Sequence, residues 1–164
     1  MKNDDMRQEL VHLGNGAHAL ATQMLGSPDD AADAVHDAFA TVLNRPEAFD
    51  ASKGTLKSWF LRVVHNRCID LIRRRRPESF DVGELIEPGT GPEQTLEVAE
   101  RDQVLRQALE QLRNEQRQII VLRDYVDLSY AEIANVLDIA PGTVMSRLHR
   151  ARMALKEELT RHDK

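Results

Sequence analysis

One cysteine, one tryptophan, two tyrosines and four phenylalanines are all that the 164 residues hold of those types. Cys68 has no second thiol to pair with, so an internal disulfide is excluded and a reducing compartment is the natural setting. Aromatics amount to 4%, and the apolar remainder is mostly Leu, Val, Ile and Ala, a mix that favours helices packed on helices. No alternating β-branched and aromatic run marks a strand. The fold class expected is all-α. No apolar stretch approaches the ~20 residues that cross a bilayer, and residues 1–10 lack a basic-then-apolar leader pattern, so the expected location is the cytoplasm.

Positive charge is also scarce, but it is concentrated. The chain carries a net −5, yet residues 61–76 hold six basic side chains and one acidic one, while residues 77–110 hold two and nine. Such a chain is no general nucleic-acid binder. It can still meet phosphates locally, with the acidic stretches opposing loose association.

Composition breaks at residues 77–94, PESFDVGELIEPGTGPEQ, where three prolines, three glycines and several acids interrupt the helical periodicity. This stretch reads as a flexible linker between two helical modules, placed at 1–76 and 93–164 with 77–92 between them. In the first module a helix is expected over roughly 5–25, interrupted near Gly14 and Gly16. Ser27-Pro28-Asp29-Asp30 starts a second: Ser27 can cap, Pro28 suits the first turn, and the acids favour the positive end of the dipole. It should stop before Arg45-Pro46. After a loop around FDASKGT, a long helix runs through LKSWFLRVVHNRCIDLIRRRR to Pro77. Trp59 is assigned to core, on a face shared with Leu56 and Val63. In the second module helices are expected over about 93–112 and 114–124.

The last pair carries the most information. Ser129-Tyr130-Ala131-Glu132 is a capping box, Ile133, Ala134 and Leu137 form an inner face, and Asp138 can take the left-handed backbone of a tight turn. Pro141 opens the next helix, which completes a helix-turn-helix outline. At ~100° per residue, Val144, Leu148, Ala151 and Leu155 fall on a core side. Met145, Ser146, His149, Arg150 and Met153 fall opposite, flanked by Arg147 and Arg152. A face mixing hydroxyl, imidazole and guanidinium groups can donate to base edges and phosphates. Arg152 also has Glu157 and Glu158 within reach as ion-pair partners.

GTVMSRLHRAR, preceded by LSYAEIA, resembles the fourth conserved region of the sigma-70 family. DAADAVHDAFATVL, followed by WFLRVVHNRCIDLIRRRR, resembles the second. Two regions in this order, with no third, are similar to an extracytoplasmic-function sigma factor. The resemblance implies a dissociable RNA polymerase subunit, monomeric when free, without catalysis or cofactor of its own. Its implied partners are core RNA polymerase (the β′ clamp helices and the β flap), promoter DNA and an anti-sigma factor. It places polymerase docking at Asp33, Val35, His36, Asp37 and Phe39. For the −10 element it implies Arg62 and Asn66 of a W-x-x-R-x-x-x-N pattern, and the base-capturing loop Asp50, Ala51, Ser52, Lys53, Gly54 and Thr55. Arg73, Arg74, Arg75 and Arg76 are assigned to phosphates, four arginines being more than a helix dipole calls for. For the −35 element it implies Arg123, Thr143, Met145, Ser146, Arg147, His149 and Arg150.

The chain departs from the common family pattern at Ala32-Asp33, His36, Met145 and His149. Met145 suits apolar contact with a thymine methyl. Metal chemistry at Asp29, Asp33, His36 and Asp37 lacks a recognisable ligand spacing. The competing function is a sigma mimic that occupies an anti-sigma factor without initiating transcription. An autonomous repressor would need a dimerisation seam that the sequence lacks.

Overall fold

The computed structural model describes residues 3–75 and 96–162, and all regular structure among them is helical. Arg76 and the linker expected at 77–92 lie outside the described residues. Helix α1 (Asn3–Val11) is followed by α2 (Gly14–Leu25), α3 (Pro28–Asn44) and α4 (Leu56–Arg75); then come α5 (Leu96–Glu110), α6 (Asn114–Ile120), α7 (Tyr130–Leu137) and α8 (Pro141–His162).

The helix expected over 5–25, interrupted near Gly14 and Gly16, is two helices with the break just ahead of Gly14. The chain turns at His12-Leu13, where Leu13 N–H donates to Leu10 O at 3.0 Å, before two glycines that weaken helix propagation. Gly16 has a packing reason as well: a Cβ there would stand 3.0 Å from Val126 Cγ2. Other boundaries follow the local signals. Ser27 Oγ accepts from Asp30 N–H at 3.3 Å, α3 stops at Asn44, and a short 3-10 turn spans Pro46–Ala48.

Beyond α6 the backbone widens into a π-type turn over Val121–Tyr125, where Val126 N–H donates back to Val121 O at 2.9 Å. The loop that follows contains Asp127 at φ 66°. Asp138 takes φ 57° at the end of α7, as the turn chemistry requires.

In the first module Leu20, Met24, Ala34, Ala38, Val42, Phe60, Leu61, Val64 and Cys68 are buried among α2, α3 and α4. In the second Ile119, Leu122, Leu128, Ile133, Val136, Val144 and Leu148 close around α8. Each fully buried Leu or Ile contributes ~1.5–3 kcal/mol relative to exposure. The two sets belong to one continuous apolar cluster, because α7 lies against α4 and α2 lies against α6 and the π turn.

Sequence patterning does not single out Arg117, yet it is the largest fully buried side chain among the described residues, at 1% exposure. Its Nη1 donates to Leu112 O at 2.9 Å and to Glu110 O at 3.2 Å, so it satisfies carbonyls at the end of α5 that the helix itself leaves open. Burial pushes its pKa down, opposed by Glu110. Cys68 is inert for a related reason: burial drives its thiol up to about 12, against smaller opposing effects of Arg67 and Arg75, so little thiolate forms near neutrality.

Candidate nucleic-acid interface

Three elements carry the residues expected to meet DNA. On α8, Val144, Leu148 and Ala151 are buried while Met145, Ser146, His149 and Arg150 are exposed, Met145 by 59%. The helical period sorts the two faces as the sequence predicts. Ser146 Oγ donates to Thr143 O at 3.1 Å, and Thr143 sits half-buried in the first turn of α8. Arg147 and Arg150 line an open depression of about 260 Å³ together with Arg113, Glu115 and Gln116 at the start of α6. Sequence reading missed those last three, since only the packing of α6 against α8 brings them alongside. Arg152 pairs not with Glu157 or Glu158 but with Asp124, its Nε donating to Asp124 Oδ2 at 3.3 Å. Arg123 is half-buried: its Nη1 donates to Leu128 O at 2.7 Å, and its guanidinium lies 5.1 Å from the Tyr130 ring centre. Much of its donor capacity is thus spent inside the module.

The loop before α4 is ordered by its own side chains. Asp50 Oδ1 accepts from Ser52 N–H at 3.0 Å and from Ser52 Oγ at 2.6 Å, and these bonds lower the Asp50 pKa. Ala51, Ser52 and Lys53 form the exposed crest, and Thr55 Oγ1 accepts from Ser58 N–H at 3.2 Å to cap α4. A cleft of about 270 Å³ opens behind the crest, lined by Phe49, Asp50, Lys53, Gly54, Trp59 and Arg62 among others. Trp59 therefore belongs only partly to the core. It stacks obliquely on Phe49, centroids 5.4 Å apart, and shows part of its ring to the cleft. Asn66 is exposed one turn beyond Arg62. Of the basic run, Arg73, Arg74 and Arg75 are exposed, but Arg75 Nη2 pairs with Asp30 at 2.8 Å and Arg74 Nη2 lies 3.9 Å from Asp70.

Two of the five residues expected to dock polymerase lie inward on α3. Val35 is buried and Phe39 packs on Phe60 with ring centres 4.7 Å apart; both point inward, because positions i and i+4 on α3 share its core stripe. Asp33 and His36 are exposed. Asp37 accepts from Arg67 Nη2 at 3.1 Å and from Nε at 3.2 Å, a surface pair of modest energy that a partner can exchange.

The second module covers part of the face expected to meet the −10 element. Thr55, Ser58 and Arg62 lie on one side of α4, and Glu132 and Asn135, three residues apart, lie on one side of α7. Thr55 Oγ1 donates to Glu132 Oε2 at 2.7 Å. Asn135 Nδ2 donates to Ser58 Oγ at 2.8 Å, and Arg62 Nη1 donates to Asn135 Oδ1 at 3.2 Å. Asn135 closes one wall of the cleft, and a Cβ on Gly54 would stand 2.6 Å from its Nδ2. Glu132 serves twice. Its Oε1 accepts from Ser129 N–H at 3.0 Å in the capping box of α7, while Oε2 reaches α4. Burial raises its pKa, but the bonds from Thr55 and Ser129, with Lys57 nearby, outweigh that and leave it below 4.5.

A fourth hydrogen bond between the modules joins His65 and Gln118. Gln118 Nε2 donates to Asn114 Oδ1 at 3.0 Å, so its Oε1 is the acceptor for His65 Nε2 at 3.1 Å. That leaves Nδ1 as the bare ring nitrogen, buried without a partner. Burial lowers the His65 pKa below 6.5, against the smaller opposing effect of the bond to Gln118. A depressed folded pKa gives stability that is full above the unfolded value and is lost as pH falls through the folded value. Wild-type Tm is therefore expected to drop between pH 7 and pH 5, with a shallower drop in His65→Gln. Equal slopes by calorimetry would exclude His65 as the group responsible.

Comparison with known proteins matches this geometry to both halves of the chain. The family model for sigma-70 region 2 matches residues 11–78, and that for sigma-70, region 4 matches residues 102–155. The ECF RNA polymerase sigma factor SigE of Mycolicibacterium smegmatis is 33% identical over 152 residues, 88% of this chain. This chain spans only 58% of that relative's length. RNA polymerase sigma factor YlaC of Bacillus subtilis is 30% identical over 138 residues, covering 81% of this chain and 79% of its own. Among solved structures, the sigma factor RpoE of Bartonella quintana, in complex with the anti-sigma factor NepR, aligns with TM-score 0.72 and 27% identity over 95% of this chain and 97% of that one. CnrH, in complex with the cytosolic domain of CnrY, shares the fold at TM-score 0.70 and 24% identity, covering 97% of this chain and 90% of that one. With both conserved regions in order and relatives of this name over most of its length, the chain belongs to the extracytoplasmic-function sigma factors of the sigma-70 family.

Proposed function

We propose that the protein directs promoter-specific initiation by core RNA polymerase, acting in the cytoplasm and supplying selectivity but no covalent chemistry of its own. The observation that carries this reading is the presence in one chain of both sigma-70 regions, the second with its Met145–Arg150 face exposed. Residues 1–76 dock on the polymerase β′ clamp helices through Asp33, His36 and Asp37 and hold the opened −10 element. The cleft suits an unstacked base: Trp59 and Phe49 offer a stacking surface while Lys53 and Arg62 meet the backbone. Asn66 contacts the same element, and Arg73, Arg74 and Arg75 neutralise phosphates of the adjoining duplex. Residues 93–164 engage the β flap and lay α8 in the major groove of the −35 element, where Arg150, His149 and Met145 face base edges and Arg147 and Ser146 face phosphates. The relative solved in complex with the anti-sigma factor NepR supports control by an anti-sigma factor. The membrane is no part of this scheme, and no described helix is long and apolar enough to cross one.

Run-off transcription with core enzyme on a genomic fragment library tests the proposal. Discrete start sites that share two upstream elements are the expected product. A chain that forms no holoenzyme, or forms one that starts nowhere in particular, would instead be a mimic.

A further inference from the structure

We infer that Arg113, the residue ahead of α6, holds a backbone phosphate of the DNA strand that borders the −35 element along one flank of α8. The inference rests on the −35 assignment of α8 and adds a contact from a second helix.

Positions around α8 set the geometry. At ~100° per residue, Thr143, Arg147 and Arg150 share one flank, Met145, His149 and Met153 share the outward face, and Arg152 stands on the opposite flank. The first flank borders α6, since Arg147 and Arg150 line one depression with Arg113, Glu115 and Gln116. A helix ~10–12 Å across nearly fills a major groove ~12 Å wide. The flanks of a docked α8 therefore run beside the two sugar–phosphate strands, and whatever borders α8 on the α6 side borders a strand.

Charge differs between the two flanks. Arg152 is already matched by Asp124, which accepts from its Nε and Nη2. Arg113, Arg147 and Arg150 pair with no carboxylate among the described residues. Against these three guanidinium groups the depression sets one acid, the exposed Glu115. The backbone under Arg113 is tied, its N–H donating to Gln116 Oε1 at 3.3 Å, while its side chain is exposed. An unoccupied guanidinium on a fixed backbone suits a phosphate, which it can grip with two parallel donors. Glu115 opposes the same phosphate, so the two side chains should shift binding in opposite directions.

Arg113→Ala, Arg113→Lys and Glu115→Gln are compared with wild type as full chains, with helical content checked by circular dichroism. Fluorescence anisotropy reads binding to a short duplex carrying the upstream element shared by the run-off start sites, and to a scrambled duplex. Arg113→Ala is expected to weaken both duplexes by the same factor, because a phosphate carries no sequence information. Its salt slope should fall by ~0.9, so its deficit shrinks about 3.5-fold between about 50 and 200 mM salt. Arg113→Lys should recover part of the loss, and Glu115→Gln should bind both duplexes more tightly than wild type. An unchanged slope in Arg113→Ala, or no gain in Glu115→Gln, would overturn the contact. A loss confined to the matched duplex would overturn it too, by making Arg113 a reader of bases. Inorganic phosphate at constant ionic strength should displace the duplex no better than chloride. Stronger displacement that Arg113→Ala abolishes would make the depression a free-anion pocket instead. Run-off without a shared upstream element would overturn the −35 reading and this contact with it, whereas normal wild-type recognition beside an unmoved Arg113→Ala overturns the contact alone.

Discussion

Arg117→Ala is expected to lower the free energy of unfolding by about 2–4 kcal/mol. The guanidinium is buried in the second module and bonds the carbonyls of Glu110 and Leu112. Truncation removes a charged donor from two acceptors that have little access to water, and leaves a void where the long stem packed. Two controls separate these effects. Arg117→Met keeps most of the stem and loses only the donors. Arg117→Lys keeps a charge and N–H donors but replaces the planar guanidinium with a smaller, more strongly hydrated ammonium. Chemical denaturation of all three should rank Ala below Met and Lys. A loss under about 1 kcal/mol in the alanine variant would mean that water replaces the guanidinium without strain. The variant should also lose −35 binding as temperature rises, because α6 supports α8 from behind.

Arg150→Ala is expected to weaken selective −35 recognition by roughly 10–100-fold, the span that corresponds to ~1–3 kcal/mol for a good base contact. The side chain is exposed beside Arg147 above the depression shared with Arg113 and Gln116, so its removal disturbs no core contact. Asn66→Ala acts on the other module. It should slow promoter opening, measured by permanganate footprinting, while core polymerase binds as before. A parallel loss of polymerase affinity in both variants would show that they damage the fold rather than separate steps. Salt titration adds a further discrimination. Arg150→Ala should lower specific binding more than non-specific binding, whereas loss of a phosphate contact lowers both and reduces the salt slope.

Much of this could be read from local chemistry. Ser27 and the Ser129–Glu132 box cap helices where their spacing says they should, and the two faces of α8 separate by period alone. These features depend on residues within a turn or two of one another. What stayed hidden depends on distance along the chain. Glu132 and Thr55 lie 77 residues apart, and Asn135 and Arg62 lie 73 apart; no periodicity within either helix announces such a pairing. Arg117 was obscured differently. Arginine in a short polar helix ordinarily reads as surface, and only the chain turning back at Leu112 makes it a buried cap. Val35 and Phe39 run the other way: the family resemblance places polymerase docking on residues that the helical stripe turns wholly or partly inward.

Gly54 has no positive φ to explain it. Its missing side chain leaves room for the Asn135 amide, which belongs to the other half of the molecule and would have to swing aside for a Cβ. In residues 3–75 alone an alanine there would meet nothing harder than the Ser58 hydroxyl at 3.1 Å. The close fit at this bare backbone therefore comes from the assembled chain, and hybrids that join this front half to another protein's back half would lose it.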